Sequence, residues 1–322
     1  MEKPESPESQ TPWERQALEK IALESLRETR ARRRWGIFFK LAGLAYLVAV
    51  LVLVVDWGGP EKRIAAGKHT ALVEIRGTID SRSEASADKI NEALQSAFGD
   101  KGTAGVILRI NSPGGSPVQA GIVYDEIMRL RAKHPDVRLY AVVEDMCASG
   151  GYYVASAADQ IYVDKASIVG SIGVLMDGFG FSEAMQRFGI ERRLLTSGEH
   201  KGFLDPFSPQ DARHKKHAEA LLQEIHDQFV DVVRKGRGKR LKETHGMFSG
   251  LMWTGTQSVK LGLADGFGTV DSVARDVIKA ERILDYSVKE NIAERFVKRL
   301  GVSAGQSFAS RLFSTAETAS VR

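Results

Sequence analysis

Two residues in this 322-residue chain could act together on a carbonyl group: Ser149 and Lys201. Ser149 stands in Cys147-Ala148-Ser149-Gly150-Gly151, between the apolar β-branched run Leu139–Val143 and an Ala-rich stretch from Tyr152 to Ala158. This order reads as strand, turn, helix. At such a corner the first helical N–H groups are unpaired and the helix dipole is positive, which suits a tetrahedral oxyanion. A serine there is equally suited to capping the helix. Asn111-Ser112-Pro113-Gly114-Gly115 ends another apolar run, Gly105–Ile110, and its paired glycines either form only a turn or aim N–H groups at a ligand. Both turns fall at the strand-end edge where parallel sheets bind ligands.

A serine nucleophile needs a base, and no histidine occurs between His134 and His200. A lysine can serve if desolvation leaves its amine neutral. Lys201 is the candidate, in a loop with Phe203, Leu204 and Phe207; a solvated loop lysine is the alternative. His214 and His217 could share a helix face as metal ligands, but Lys215 and Lys216 between them favour a solvated face, so no metal is expected. Cys147 lies two residues before Ser149 and need not face the same pocket. As the sole cysteine, it excludes an intrachain disulfide framework.

The elements that would position these groups alternate between strand and helix from His69 onward. Ala71–Ile75 reads as a strand, Glu84–Phe98 as a helix capped by Ser83, and Val118–Ala132 as a helix. Ile161–Asp164 and Arg193–Leu195 read as strands. Ser208–Arg234 and Asp271–Glu281 read as amphipathic helices. The alternation implies an α/β fold with a mainly parallel sheet.

Upstream, Gly36–Val55 is apolar except for Lys40 and long enough to cross a bilayer. Arg27, Arg30, Arg32, Arg33 and Arg34 precede it, so the positive-inside rule places the N-terminus in the cytoplasm and the rest across the membrane. The expected organisation is a cytoplasmic segment 1–35, a transmembrane anchor 36–56, a linker 57–68, a catalytic domain 69–285, and a C-terminal helix and loose tail 286–322. The net charge of +4 forces no nucleic-acid partner. The basic run Arg234–Lys242 reads as a solvated or lipid-facing loop rather than a nucleic-acid site.

Taken together, Asn111-Ser-Pro-Gly-Gly, Ala148-Ser149-Gly150-Gly151-Tyr152-Tyr153, Gly170-Ser171-Ile172-Gly173-Val174 and Ser197-Gly198-x-x-Lys201, in this order, resemble the signal peptide peptidase A family of serine proteases. Trp253-Thr254-Gly255 and Leu261-Gly262-Leu263-Ala264-Asp265 resemble its later segment, so the likeness covers about residues 70–275. The resemblance implies a Clp protease/crotonase-type spiral of ββα units. It makes Ser149 the nucleophile, Lys201 the general base, Ser171 the group that orients the lysine, and Gly114, Gly115 and Gly150 the oxyanion-hole segments. It further implies a cofactor-free endopeptidase of the bacterial inner membrane with its catalytic domain on the periplasmic side. Its substrates would be remnant signal peptides. A single copy of the domain implies the short form, a homo-oligomeric ring in which Ser149 and Lys201 of one site come from neighbouring subunits. A crotonase-like acyl-CoA enzyme is disfavoured by the anchor, because CoA thioesters are cytosolic. A catalytically silent scaffold is disfavoured by the presence of both Ser149 and Lys201.

Overall fold

The computed structural model describes Trp13, Lys20 and residues 32–49 and 67–288. Residues 32–49 and the body from 67 to 288 belong to separate units. Residues 32–49 are helical and exposed throughout. Trp35 stacks on Phe39 and meets Phe38 edge-on, with centroids 5.6 and 5.7 Å away. No helix among the described residues is long and apolar enough to cross a membrane. The expected span Gly36–Val55 is helical to residue 49, and positions 50–55 lie outside the described residues.

The body is built on one eight-stranded sheet in the order β6-β5-β3-β2-β1-β8, with β4 beside β3 and β7 beside β4. Its strands are β1 (His69–Arg76), β2 (Thr103–Ser112), β3 (Arg138–Ala148), β4 (Gln160–Val163), β5 (Ile168–Gly170), β6 (Met252–Thr254), β7 (Gly266–Phe267) and β8 (Ile283–Asp285). Every pairing is parallel except β5 with β6. The central strands are near-continuous apolar runs because both faces are covered. Val106, Leu108, Ile110, Leu139 and Ala141 join one core, while Leu72, Ile107 and Val142 meet Val273 and Ala274 in a second.

The first core is roofed by helices α1 (Ala87–Gly99), α2 (Pro117–Lys133), α3 (Gly150–Ala155) and part of α5 (Ala212–Arg237); α4 (Ser182–Arg187) buries no residue. Apolar residues at helical spacing supply the packing, such as Ile90, Leu94 and Phe98 in α1 and Val123, Ile127 and Leu130 in α2. Ser116 and Asp211 accept from the N–H groups of Gln119 and Arg213, capping α2 and α5. α1 starts three residues later than its expected start at Glu84, after Ser86 rather than Ser83. Asp271–Glu281 is not one amphipathic helix: a short turn, Val270–Ser272, passes into π-helical Val273–Ile278, which ends at Lys279 with φ 61°. Arg193–Leu195 is not a strand, and Leu195 is 96% exposed with no strand beside it.

The basic run Arg234–Lys242 is also not the solvated loop expected. It is the end of α5 and a following 3-10 turn, Gly238–Arg240. Arg237 is fully buried and grips both carboxylate oxygens of Asp265 at 2.9 Å, while Arg234 pairs with Glu243 and Arg240 with Asp265. Burial pushes the Asp265 carboxyl up, but the two arginines and the Ile161 N–H more than offset this and hold it below the usual carboxylate range. Arg237 also donates to the Gly262 carbonyl, and the Tyr152 hydroxyl of α3 donates to the Leu263 carbonyl. The helix that follows Ser149 is thereby fastened to the far side of the core.

Candidate active site

Strand register brings the site residues together. β3 is long enough to serve two neighbours on one edge: Tyr140–Val142 pair with β4, and Met146–Ala148 pair with β5. The last pair is Ala148 with Gly170, so Ser149 and Ser171 leave adjacent parallel strands side by side. On the other edge Ser112 pairs with Cys147, so Gly114 arrives opposite Ser149, two residues beyond that pair.

At the corner Ser149 has φ 49° and ψ −123°, a conformation costing a non-glycine residue about 1–3 kcal/mol. Its surroundings impose it. The Ser149 N–H donates to the Gly170 carbonyl at 2.8 Å, and its carbonyl accepts from Tyr153 N–H at 2.9 Å. Its side chain makes no capping hydrogen bond, so the capping alternative fails. A strained strand-to-helix turn of this kind projects a hydroxyl into the open. Ser171 is held in the same unusual region, φ 50°, by donation to the Leu251 carbonyl at 2.8 Å.

The Gly114-Gly115 turn lies against this corner. Gly114 has φ 99°, and a Cβ there would fall 2.6 Å from the Gly150 nitrogen and 2.7 Å from the Ser149 Cβ. Ser112, which the sequence reading did not single out, braces the turn: its hydroxyl donates to the Gly77 carbonyl and accepts from Gly114 N–H. Ile79 bonds to Gly114 O and Ser116 N in a parallel bridge, which turns the intervening Gly115 N–H to the opposite side. Neither Gly115 N–H nor Gly150 N–H has an acceptor among the described residues. They are close together, since a Cβ on Gly150 would lie 3.3 Å from the Gly115 nitrogen.

Ser149, Gly150, Gly115 and Ser171 line one cavity of 540 Å³. Its remaining wall is largely apolar and includes Ala120, Tyr153, Val174, Leu175, Ile225 and Phe229. Tyr153 meets Phe229 at 5.2 Å, and burial pushes its hydroxyl up, so this wall carries no charge. Ile225 and Phe229 were missing from the sequence reading; their i, i+4 spacing on α5 is the signal that marks them, but it equally marks core residues. Cys147 is fully buried, and burial raises its thiol far above the range where a thiolate forms.

Lys201 does not line the cavity. It is exposed, in a segment where no residue from 173 to 217 is buried. No group of three or more metal-ligating side chains occurs among the described residues. His214 faces His200, 3.2 Å away.

The sequence profile of peptidase family S49 matches residues 131–283, the stretch that holds Ser149, Ser171 and Lys201. Residues 131–283 are a peptidase family S49 domain. Among its S49-like relatives, a putative signal peptide peptidase SppA of Enterococcus faecium is 27% identical over 234 residues, covering 70% of this chain and 67% of that one. A putative protease of Methanocaldococcus jannaschii is 31% identical over 197 residues, 60% of this chain and 62% of its own. A Brucella melitensis protein named Na(+)/H(+) antiporter NhaA is 41% identical over 244 residues, 76% of this chain but 32% of its own length. A second, from Brucella abortus, likewise matches over 32% of its length, so the chain spans about a third of these two relatives. The antiporter name belongs to those longer proteins, most of whose length lies outside the alignment. The S49 segment also contains the buried Arg237–Asp265 pair at the end of α5.

Proposed function

We propose that this chain is a membrane-anchored serine endopeptidase with a Ser149–Lys201 dyad. The observation that carries the reading is the convergence, on one apolar cavity, of a strained, uncapped serine and two N–H groups without acceptors. In the first step Lys201 Nζ, held by the Ser171 hydroxyl, accepts the Ser149 proton while Ser149 Oγ bonds to the peptide carbonyl carbon. The Gly115 and Gly150 N–H groups receive the oxyanion, with Gly114 shaping their approach. Losing one such donor typically costs about 2.7–4 kcal/mol. The C–N bond then breaks as Lys201 returns the proton to the leaving amine, and water attacks the acyl-enzyme with Lys201 again as base.

Lys201 reaches this cavity from a neighbouring copy. The segment 174–210 that carries it exposes Leu175 by 80%, Phe179 by 80%, Phe188 by 81% and Leu195 by 96%, apolar surface that calls for cover. A second copy seated on it would complete the cavity and strip water from the amine. Repeated head to tail, this contact closes a ring on the Clp protease/crotonase-type spiral.

The exposed helix 32–49, with Phe38, Phe39, Leu41, Leu44 and Leu47 on its surface, suits the lipid-embedded part of an anchor running to residue 56. With Arg32–Arg34 at its start, the N-terminus is cytoplasmic and the peptidase domain extracytoplasmic, at a bacterial inner membrane. Remnant signal peptides, apolar and already in the bilayer, fit the cavity wall and are the proposed substrates.

Co-expression of the Ser149→Ala and Lys201→Ala chains tests the shared site. Each alone is expected to be silent in cleavage of a quenched fluorescent apolar peptide. Mixed rings are expected to recover roughly a quarter of wild-type activity, the share of contacts joining an intact serine to an intact neighbouring lysine in a random equimolar ring. Rings that assemble from both chains and stay silent would contradict it.

A further inference from the structure

We propose that His200 and His214 form a protonation-sensitive latch that positions Lys201. The inference rests on the reading of Lys201 as the general base. No residue from 173 to 217 is buried, so within the protomer only surface contacts place the lysine. Its loop is internally wound: Lys201 N–H donates to the Gly198 carbonyl, Phe203 N–H to the His200 carbonyl, and Leu204 turns at φ 52°. Three contacts then fasten residues 199–203 to the first turns of α5. His200 Nδ1 and His214 Nε2 share a hydrogen bond of 3.2 Å, Arg213 donates to Glu199 at 2.7 Å, and the Phe203 ring packs on His214 and His217 at 5.4 and 5.7 Å. The histidine contact is the one adjacent in sequence to the lysine.

A hydrogen bond between two imidazoles needs one N–H and one lone pair. It exists when both rings are neutral or one is protonated, and it is lost when both are protonated, because two donors of like charge then face each other. Histidines change charge between about pH 5 and 8, so the latch opens toward the acid end of that range. The surrounding charges are of both signs. Glu199 lies 3.9 Å from His200 Nε2, and Asp211, held down to about 2 by hydrogen bonds from Arg213, stays anionic beside His214. Opposing them are Arg213 itself and the neighbouring Lys201 and Lys215, with His217 beyond Phe203.

The test uses the full-length chain in detergent: hydrogen–deuterium exchange of residues 197–205 beside kcat, KM and melting temperature, for wild type, His214→Ala, His214→Gln and Lys201→Ala. At pH 8, His214→Ala is expected to exchange this loop about tenfold faster and to lose kcat about tenfold, with KM and melting temperature nearly unchanged. Glutamine offers a neutral acceptor at every pH. In His214→Gln the protection is therefore expected to stay, and the loss of loop protection that wild type shows between pH 8 and 5.5, corrected for intrinsic exchange, is expected to vanish. Equal exchange in wild type and His214→Ala at pH 8 would overturn the latch, as would an acid-induced loss of protection that persists in His214→Gln. Lys201→Ala separates the two readings. If it retains activity, the base assignment fails while the loop exchange still reports on the latch. If it is inactive and His214→Ala leaves exchange unchanged, the latch alone fails.

Discussion

Lys201→Arg is expected to lose peptide hydrolysis as fully as Lys201→Ala, by about 10³-fold or more in kcat/KM, the upper part of the range for a general base. Arginine keeps the positive charge, the length and most of the hydrogen-bonding capacity, but a guanidinium does not release its proton in a protein. If the charge of Lys201 merely bound substrate or stabilised an oxyanion, arginine would preserve much of the activity. Lys201 is exposed in the protomer, where substitutions normally change stability by less than about 0.5 kcal/mol, so the protomer is expected to fold as before beside the lost turnover. Steady-state cleavage of an apolar peptide and a thermal melt check both halves. Activity in Lys201→Arg within tenfold of wild type would remove the lysine from the role of base.

Gly114→Ala is expected to lower kcat by about 10²–10³-fold, the scale of losing an oxyanion donor. The added methyl would sit 2.6 Å from the Gly150 nitrogen, 2.7 Å from the Ser149 Cβ and 2.8 Å from the Ala148 carbonyl oxygen, none of them the far end of a flexible side chain. Relief must come from movement of the turn or of the Ser149 corner, which spoils the alignment of nucleophile and N–H groups. The positive φ of Gly114 adds strain, so a stability loss of about 1–3 kcal/mol accompanies it. Gly121→Ala is the control, since it lies inside α2 with nothing within 4 Å of the added methyl. There alanine is expected to keep wild-type kcat and to raise stability by about 0.5–1 kcal/mol. Kinetics and denaturant unfolding of the two variants check the contrast, and wild-type turnover in Gly114→Ala would contradict the tight corner.

The strand–Ser149–helix unit is legible in the sequence because its strand holds the apolar run Leu139–Val143 and its turn is made only of small residues. β2 holds a similar run, Val106–Leu108, ahead of the Gly114-Gly115 turn. What brings them together is register, the pairing of Ala148 with Gly170 and of Ser112 with Cys147, and no local pattern specifies it. Arg237 looks like one more charge in a basic run until the fold supplies Asp265, 28 residues away. Ile225 and Phe229 read as core at helical spacing, and only the position of α5 turns them toward the cavity. Asp271–Glu281 has a helical pattern, yet it is short and its last turns widen to π geometry before Lys279. The His200–His214 contact joins a loop to a helix turn 14 residues on, and nothing in its spacing announces it.

Covalent labelling of Ser149 tests the central claim most directly. The full-length chain in detergent would be incubated with a fluorophosphonate bearing an apolar side chain, and its intact mass followed with time. The account predicts a single adduct, located by peptide fragmentation on Ser149, absent from Ser149→Ala and formed far more slowly in Lys201→Ala. An adduct on another residue, or labelling that persists in Ser149→Ala, would contradict it.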